Sequence, residues 1–202
     1  RPYGKWNYNE DKDKNFHKMM LDSLLEENDN YFASLCNNGS MANYRYQTLL
    51  QMDEGMAKKP ENVLSAHMPH DKQAHKDIIE TCKKHKGGIN IIINETGDVS
   101  RIPFDVNNVW RVSNDNAHRN SMGVIDQINK DIENRDIQNE LFLGCAGPFT
   151  NVVLHRAWIN HPDNFYIDAG STLDGFLFEH VARGWLERMG YSHYLRPKKV
   201  KP

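Results

Sequence analysis

Residues 140–178 read ELFLGCAGPFTNVVLHRAWINHPDNFYIDAGSTLDGFLF, and this stretch decides the predicted fold. Its apolar start at residues 141–143 ends at Gly144 and Gly147, which is typical of a buried strand that leads into a turn. A helix, a second strand at residues 165–167, an Asp-Ala-Gly-Ser loop and another helix follow. Two successive strand-to-helix turns are typical of an open α/β sheet, in which ligands bind outside the carboxyl ends of the strands.

The composition is typical of a folded enzyme or binding domain and excludes two other classes of protein. The 202 residues are enough for one α/β domain, and 25 basic against 27 acidic residues give a net charge of −2. No strong field therefore favours nucleic acid or an anionic membrane. No apolar run approaches the ~18 residues of a transmembrane helix, and no signal peptide is visible. Three widely spaced cysteines, an odd number, indicate a reduced, cytoplasmic protein rather than a disulfide framework.

The rest of the chain repeats the alternation of strands and helices. Short apolar runs predict four further strands, at residues 31–36, 62–68, 89–93 and 109–112. Helical spacing of apolar residues predicts helices at residues 16–27, 40–59, 71–85 and 116–134. We therefore predict one Rossmann-like domain over residues 1–202, with a lead-in loop at 1–15 and a basic tail at 191–202. Its mostly parallel open sheet should contain five or six strands with helices on both faces.

The turn after the strand at residues 141–143 is the first candidate binding element. Pro148 suits the first turn of a helix, and backbone N–H groups at a helix start can bind a phosphate. We therefore name Gly147, Pro148, Phe149 and Thr150 as candidate contacts to a ligand. A plain tight turn between strand and helix explains the same residues equally well.

The loop after the strand at residues 165–167 is the second candidate element. Asp168 at a strand end can bind a ribose or sugar hydroxyl or a metal, or act as a base. Alternatively, it caps the next helix by accepting N–H bonds. Gly170 and Ser171 complete the loop, and Asp174 lies in the first helical turn, where a negative charge also has a purely structural explanation.

Three further residues belong to the predicted edge. Asn94 and Glu95 end the most hydrophobic strand, which adds a carboxylate there, although a solvated turn explains either one alone. His67 ends another predicted strand, but the histidine spacing matches no zinc motif. No partner histidine is assignable to Cys145, so we do not expect it to be a nucleophile.

Several of these residues match the pattern of a known family. The segments GCAGPFTNVVLHRAW and NFYIDAGSTLDGFLF resemble the carboxyl-terminal half of the GT-D-type glycosyltransferases. The segments NVLSAHM and INIIINE also look like the middle of such proteins, so the resemblance covers residues 60–178. The positions that match the family pattern are Gly147, Pro148, Thr150, Asp168, Gly170 and Asp174.

The resemblance implies transfer of a sugar from a nucleotide-sugar donor to a glycan or glycoprotein acceptor, helped by Mn²⁺ or Mg²⁺. It implies that Asp168 is the base or a donor-sugar contact, that residues 147–150 contact the phosphates, and that Glu95 is a further catalytic candidate. The family also carries an Asp-x-Glu element near its amino terminus for metal binding. Residues 1–6, RPYGKW, have no such carboxylates, so the sequence identifies no metal site.

Two other functions agree with the same residues. One is a different Rossmann-like enzyme that uses a nucleotide or sugar phosphate without glycosyl transfer. The other is a catalytically silent glycan-binding or assembly domain, which the lack of carboxylates at residues 1–6 favours. The sequence does not determine the donor, the acceptor, the linkage or the oligomeric state.

Overall fold

A computed structural model of the chain describes residues 7–9, 11–26, 28–31, 33–35, 63–65 and 72–178, without the side chains of 33–35, 63–65, 72, 74 and 75. Helices and strands alternate along these residues. In chain order they are α1 (Lys14–Leu24), β1 (Ala33–Leu35), β2 (Val63–Ser65), α2 (Lys72–Lys84), β3 (Ile89–Asn94), a 3₁₀ helix (Val99–Arg101), β4 (Asn108–Val112), α3 (Ala117–Asn120), α4 (Gly123–Arg135), β5 (Leu141–Cys145), α5 (Phe149–Asn160), β6 (Phe165–Asp168) and α6 (Asp174–Leu177).

The strands form two parallel sheets. The larger contains four strands in the order β4-β3-β5-β6, and β1 pairs with β2 in a separate two-stranded sheet. Each of the six predicted strands is present, and the α/β class with a parallel sheet is confirmed. The prediction of five or six strands in one sheet is too high for the described residues. A hydrophobic run indicates a strand, but it does not indicate which strand pairs with it.

Helices cover both faces of the four-stranded sheet, as predicted. One face packs against α1, α4 and α5 through a core that includes Phe16, Met19, Trp110, Ile125, Ile128, Ile132, Phe142, Phe149, Val152 and Val153. The other face packs against α2 and α6 through a core that includes Ile79, Cys82, Ile91, Ile93, Leu141, Leu143, Leu173 and Leu177. Because β3 and β5 are central, apolar side chains on both of their faces are buried, which explains their unalternating hydrophobic sequences.

One polar residue lies within the central strand β3 and is paired by hydrogen bonds to its side chain. Asn90 is fully buried in β3, between isoleucines. Its Nδ2 donates to Glu140 Oε2 at 2.8 Å, and its Oδ1 accepts from Asn108 Nδ2 at 2.7 Å. Because a buried amide without partners would cost stability, these bonds favour the register that places Asn90 beside Asn108.

The predicted helix at residues 116–134 is two helices. The break lies at Ser121 and Met122, between α3 and α4. The Ser121 hydroxyl accepts the N–H of Ser113 at 2.8 Å, and Gly123 opens the second helix. Glycine has a low helix propensity, and the serine side chain binds outside the helix, so both residues favour an interruption.

Several predictions fall outside the described residues. They are the helix at residues 40–59, the basic tail at 191–202, residues 1–6 and 10 of the lead-in loop, and the position of His67. Within the described ranges, no helix combines the length and the apolar character needed to cross a membrane.

Candidate functional site

The carboxyl ends of β3, β5 and β6 lie side by side at one edge of the sheet. Ile93 of β3 is in register with Cys145 of β5, and Gly144 of β5 is in register with Asp168 of β6. Neighbouring strands are about 4.8 Å apart. The fold therefore brings the turns after these three strands to a common edge, with the turn after β5 in the middle.

The turn after β5, here called the β5 turn (residues 145–148), is stabilised by the side chain of Thr150. Thr150 is fully buried, and its Oγ1 accepts the N–H of Ala146 at 2.9 Å. Its methyl group fills the space above Gly144, where an added Cβ would lie 1.9 Å from Thr150 Cγ2. Thr150 therefore stabilises the turn as its hydrogen-bond partner, and its predicted contact with a ligand stays a prediction.

The tip of the β5 turn is open. Gly147 has a φ of 67°, a left-handed conformation that favours glycine, and nothing lies within 4 Å of the position of an added Cβ. Pro148 is also exposed, whereas the next residue, Phe149, is fully buried and stacks on Phe16 with ring centroids 6.2 Å apart. The exposed backbone of the turn thus leads directly into the first turn of α5, whose N–H groups have no partner within the helix.

The turn after β6, here called the β6 turn (residues 168–173), presents a carboxylate. Asp168 Oδ1 accepts the N–H of Gly170 at 2.9 Å. The Asp168 carboxylate therefore accepts an N–H within the loop, in contrast to the alternative in which it caps the next helix, and Gly170 has a φ of 52°. Asp168 is exposed to solvent, yet the protein around it desolvates the carboxylate and raises its pKa to about 6, against the opposing effect of the Gly170 N–H.

Two other ionisable groups lie beneath this edge. Asp174 is buried at the start of α6, and Cys145 is buried at the end of β5. Burial raises the pKa of the Cys145 thiol well above its usual range, and the charges of Asp174 and Asp168 add to that effect. A thiol so strongly held in its protonated form is a poor nucleophile, as we expect from the sequence.

The loop after β3 is fixed by an arginine that the sequence analysis missed. Nη1 of Arg111 donates to the carbonyl oxygens of Glu95 at 3.0 Å and Gly97 at 2.8 Å. The Glu95 carboxylate accepts the N–H of Asn114 at 3.1 Å, so it is engaged with the end of β4. A lone arginine near the carboxyl end of an otherwise apolar strand was the available signal. Asn94 lies half-buried beside this loop.

Tyr31 is a second residue that the sequence analysis missed, and no sequence signal marks it. It lies in the segment before β1, and its ring packs against His155 and Trp158 of α5 at centroid distances of 5.2 and 5.1 Å. Desolvation raises its pKa to about 12, and the charges of Glu26 and Asp168 contribute to the shift. The phenol therefore stays protonated and lies within electrostatic reach of Asp168.

The described residues do not assemble a metal site. Among them, no group of three or more His, Cys, Asp or Glu side chains could hold a metal ion. Asp13, an acidic residue of the α1 segment, is already engaged with Arg119. We therefore assign no step of the chemistry to a metal.

Comparisons with known proteins agree with the fold. No family model matches this sequence, and no curated protein matches it. Two solved structures resemble the whole chain. One is the selenomethionine-substituted structure of domain of unknown function 1792, which is 18% identical to this chain. The other, 17% identical, is described as domain of unknown function 1792 with a distinct glycosyltransferase fold. Each gives a TM-score of 0.53 and covers 100% of this chain and 72% of the other. This chain therefore has a glycosyltransferase-like fold.

Proposed function

We propose that this protein is a glycosyltransferase that moves a sugar from a nucleotide-sugar donor to a glycan or glycoprotein acceptor. One observation carries the proposal. Within a glycosyltransferase-like fold, an open helix-start turn and an exposed carboxylate follow adjacent strands at one sheet edge. The resemblance of residues 140–178 to GT-D-type enzymes supports the same assignment, down to the family.

In this proposal the β5 turn binds the diphosphate of the donor. The open space over Gly147 admits a phosphate close to the backbone, and the start of α5 supplies the positive end of the helix dipole. The first N–H groups of a helix have no acceptor within it, although that of Thr150 already donates to the carbonyl oxygen of Gly147 at 2.9 Å. The internal bond from Ala146 to Thr150 keeps the turn rigid before the donor arrives. Such preorganisation avoids an ordering cost on binding.

Asp168 accepts the proton of the attacking acceptor hydroxyl. With a pKa of about 6, the carboxylate is ionised at neutral pH and is more basic than an ordinary aspartate. A positioned general base contributes about 10²–10⁴-fold to a rate. Because the base must be ionised, the rate should rise with pH through about 6 and then level off.

The other predicted contacts keep their proposed roles around these two elements. Gly170 and Ser171 form the β6 turn, Asn94 and Glu95 lie on the other side of the β5 turn, and Asp174 is buried below. The requirement for Mn²⁺ or Mg²⁺ and the cytoplasmic location stay predictions.

Binding is tested first. Thermal unfolding is measured with UDP, GDP and CDP, each with and without Mn²⁺, and one nucleotide should raise the midpoint in a concentration-dependent way. Transfer or hydrolysis of the matching nucleotide sugars is then compared between the wild type, Asp168→Asn and Asp163→Asn. Asp163 is an exposed aspartate just before the amino end of β6 and serves as the matched control.

The expected result is a loss of about 10²–10⁴-fold for Asp168→Asn alone, with nucleotide binding retained. Equal activity in Asp168→Asn and the wild type would remove the assigned base. Glycan binding without turnover of any nucleotide sugar would instead support the glycan-binding alternative.

A further inference from the structure

The strand β6 forms one edge of the four-stranded sheet, and its apolar side chains extend the sheet surface outward. Phe165 lies in register with Leu141 of β5, and Ile167 lies in register with Leu143. In the part of the chain that the structure describes, no further strand pairs with β6 on its outer side. We call this outer side the β6 edge (residues 165–168).

The backbone of the β6 edge presents hydrogen-bonding groups that β5 does not use. The N–H groups of Phe165 and Ala169 each donate to a carbonyl oxygen on the β5 side at 2.9 Å. Successive residues of a strand alternate in direction, so the N–H and C=O groups of Tyr166 and Asp168 point away from β5. Each residue has one donor and one acceptor, which together form a short row that an added strand can pair with.

The side chains of the β6 edge are unusually apolar for an exposed strand. Phe165 is 57% exposed and Ile167 is 46% exposed, and they account for two of the four large hydrophobic side chains that are exposed among the described residues. Natural proteins protect edge strands with lysine or proline, and the sequence of β6, FYID, contains neither. The opposite edge differs, because β4 carries the exposed Arg111 and no exposed large hydrophobic side chain.

The charge around the β6 edge has a single sign. Residues 163–178 contain three aspartates, Asp163, Asp168 and Asp174, and no lysine or arginine. Asp163 and Asp168 are exposed and lie at the two ends of β6. A partner with positive charge is therefore complementary to this surface.

We propose that the β6 edge binds the acceptor as an extended, basic polypeptide segment, which adds a strand to the sheet and places a serine or threonine hydroxyl beside Asp168. This inference rests on the proposed function, since it names the acceptor of the same site. Outward N–H and C=O groups in a row recognise an extended main chain. Phe165 and Ile167 provide apolar contact for alternate side chains of the segment.

The position of the acceptor hydroxyl follows from the spacing of strands. Residues directly opposite each other on adjacent strands have Cβ atoms about 4.5–5.5 Å apart. A serine or threonine opposite Asp168 therefore brings its Oγ within hydrogen-bond reach of the carboxylate, as a base requires. Asp168 takes the proton of this hydroxyl while its oxygen forms a bond to the anomeric carbon of the donor sugar. The electron pair of the broken bond between that carbon and oxygen leaves with the nucleoside diphosphate.

Fluorescence anisotropy tests the β6 edge without any donor. The probe is a fluorescein-labelled peptide in which valine and threonine alternate around one serine, with two lysines at each end. The wild type should bind it, and the same peptide with N-methylated main-chain amides should bind at least about tenfold more weakly, because those amides no longer donate. Glutamates in place of the lysines should also weaken binding, most strongly at low salt.

Ile167→Lys and Ile159→Lys form a matched pair of variants, since both isoleucines are 46% exposed and Ile159 lies on α5. Ile167→Lys should weaken peptide binding at least about tenfold, because it removes an apolar contact and adds a positive charge at the edge. Ile159→Lys should bind the peptide as the wild type does. Circular dichroism checks that both variants are folded.

Amide hydrogen exchange read by NMR locates the peptide in the wild type, independently of any variant. The N–H groups of Tyr166 and Asp168 should exchange more slowly when the peptide is bound, because the added strand accepts from them. The N–H of Phe165 already donates to the β5 side, so its exchange should change little.

Equal binding of the unmodified and N-methylated peptides, or equal loss in the two lysine variants, would overturn the proposal. So would a wild type that dimerises and binds no peptide, if Ile167→Lys makes it monomeric. Peptide binding without turnover of any nucleotide sugar would support the β6 edge as a peptide site and contradict the proposed function. Sugar transfer to a free oligosaccharide, without peptide binding, would have the opposite meaning.

Discussion

The β5 turn and the β6 turn occupy equivalent places at the ends of adjacent strands, yet they are built in opposite ways. In the β5 turn the polar atoms bond to each other, with Thr150 buried against Ala146 and Gly144. The β6 turn leaves Asp168 exposed, with one bond to Gly170, and raises its pKa to about 6. The β5 turn is stabilised by an internal hydrogen bond, and the β6 turn carries an exposed carboxylate with a raised pKa.

This difference suggests that the two turns have different roles in the proposed site: phosphate binding for the β5 turn and proton transfer for the β6 turn. A rigid turn can bind a phosphate through its backbone without any reactive side chain. A carboxylate that is costly to ionise is a better base than a relaxed one, and such groups cluster at functional sites. In this proposal the stabilising contacts and the proposed base follow neighbouring strands, so mutations should affect stability and activity separately.

The largest effect on stability is expected at Gly144. In Gly144→Ala the new Cβ would lie 1.9 Å from Thr150 Cγ2 and 3.1 Å from Leu154 Cδ1, so we expect a loss of about 3 kcal/mol, seen in denaturant unfolding. Adding Thr150→Ser removes the obstructing methyl group and keeps the hydroxyl, and the double variant should recover most of the loss. Gly123→Ala, at an open helical position, is the control and should not destabilise.

The next effect is expected from the bond inside the β5 turn. Thr150→Val keeps the shape of the side chain but leaves the buried N–H of Ala146 without its acceptor, which should cost about 2 kcal/mol. Thr150→Ser keeps the acceptor and should cost less. If the valine and serine variants unfold at the same denaturant concentration, the hydroxyl does not stabilise the turn.

A smaller loss is expected at the two glycines that have positive φ in the described part of the chain. Gly147→Ala and Gly170→Ala should each cost about 1 kcal/mol, because each keeps a left-handed backbone, at 67° and 52°. Only Gly147→Ala should also weaken the thermal shift caused by a nucleotide, since its methyl group would occupy the open space over the β5 turn. If both substitutions weaken the nucleotide-induced thermal shift equally, the β5 turn and the β6 turn do not differ in nucleotide binding.

The smallest effect concerns the charge on Asp168. A raised pKa means that the protonated carboxyl stabilises the fold fully below about 3.8 and that this contribution is lost as the pH rises through about 6. Asp168→Asn should therefore raise the melting temperature slightly at pH 7.5, and the gain should disappear toward pH 4. Because the residue is exposed, the gain should be small. Asp163→Asn is the matched control at an exposed aspartate, and a gain of the same size there would make the effect nonspecific.

Much of the fold could be predicted because the local signals are strong. The apolar run of β3 predicts a central parallel strand and that of β5 predicts a buried strand, and both strands are buried on both faces. Alternation with helices predicts the α/β class, and it places Asn94, Gly147 and Asp168 at strand ends. These features depend on neighbours in the chain, which a sequence displays directly.

Partners that are distant in the chain could not be predicted in the same way. Arg111 fixes the loop after β3 across 14 to 16 residues of sequence, and Arg119 binds Asp13 across 106. The split into a four-stranded and a two-stranded sheet also depends on which strands meet. No periodic pattern marks such pairs, since their residues share no local structure.

By itself, the sequence determined the order of strands and helices and the residues at their ends, because propensity, periodicity and turn chemistry act over a few residues. Only the tertiary structure decided the surroundings of those ends. The aspartate of the β6 turn acquires its raised pKa from atoms that surround it in space. The threonine after the β5 turn becomes structural because Gly144 leaves room for its methyl group. Desolvation and packing are properties of assembled neighbours, so they exist only once the chain has folded.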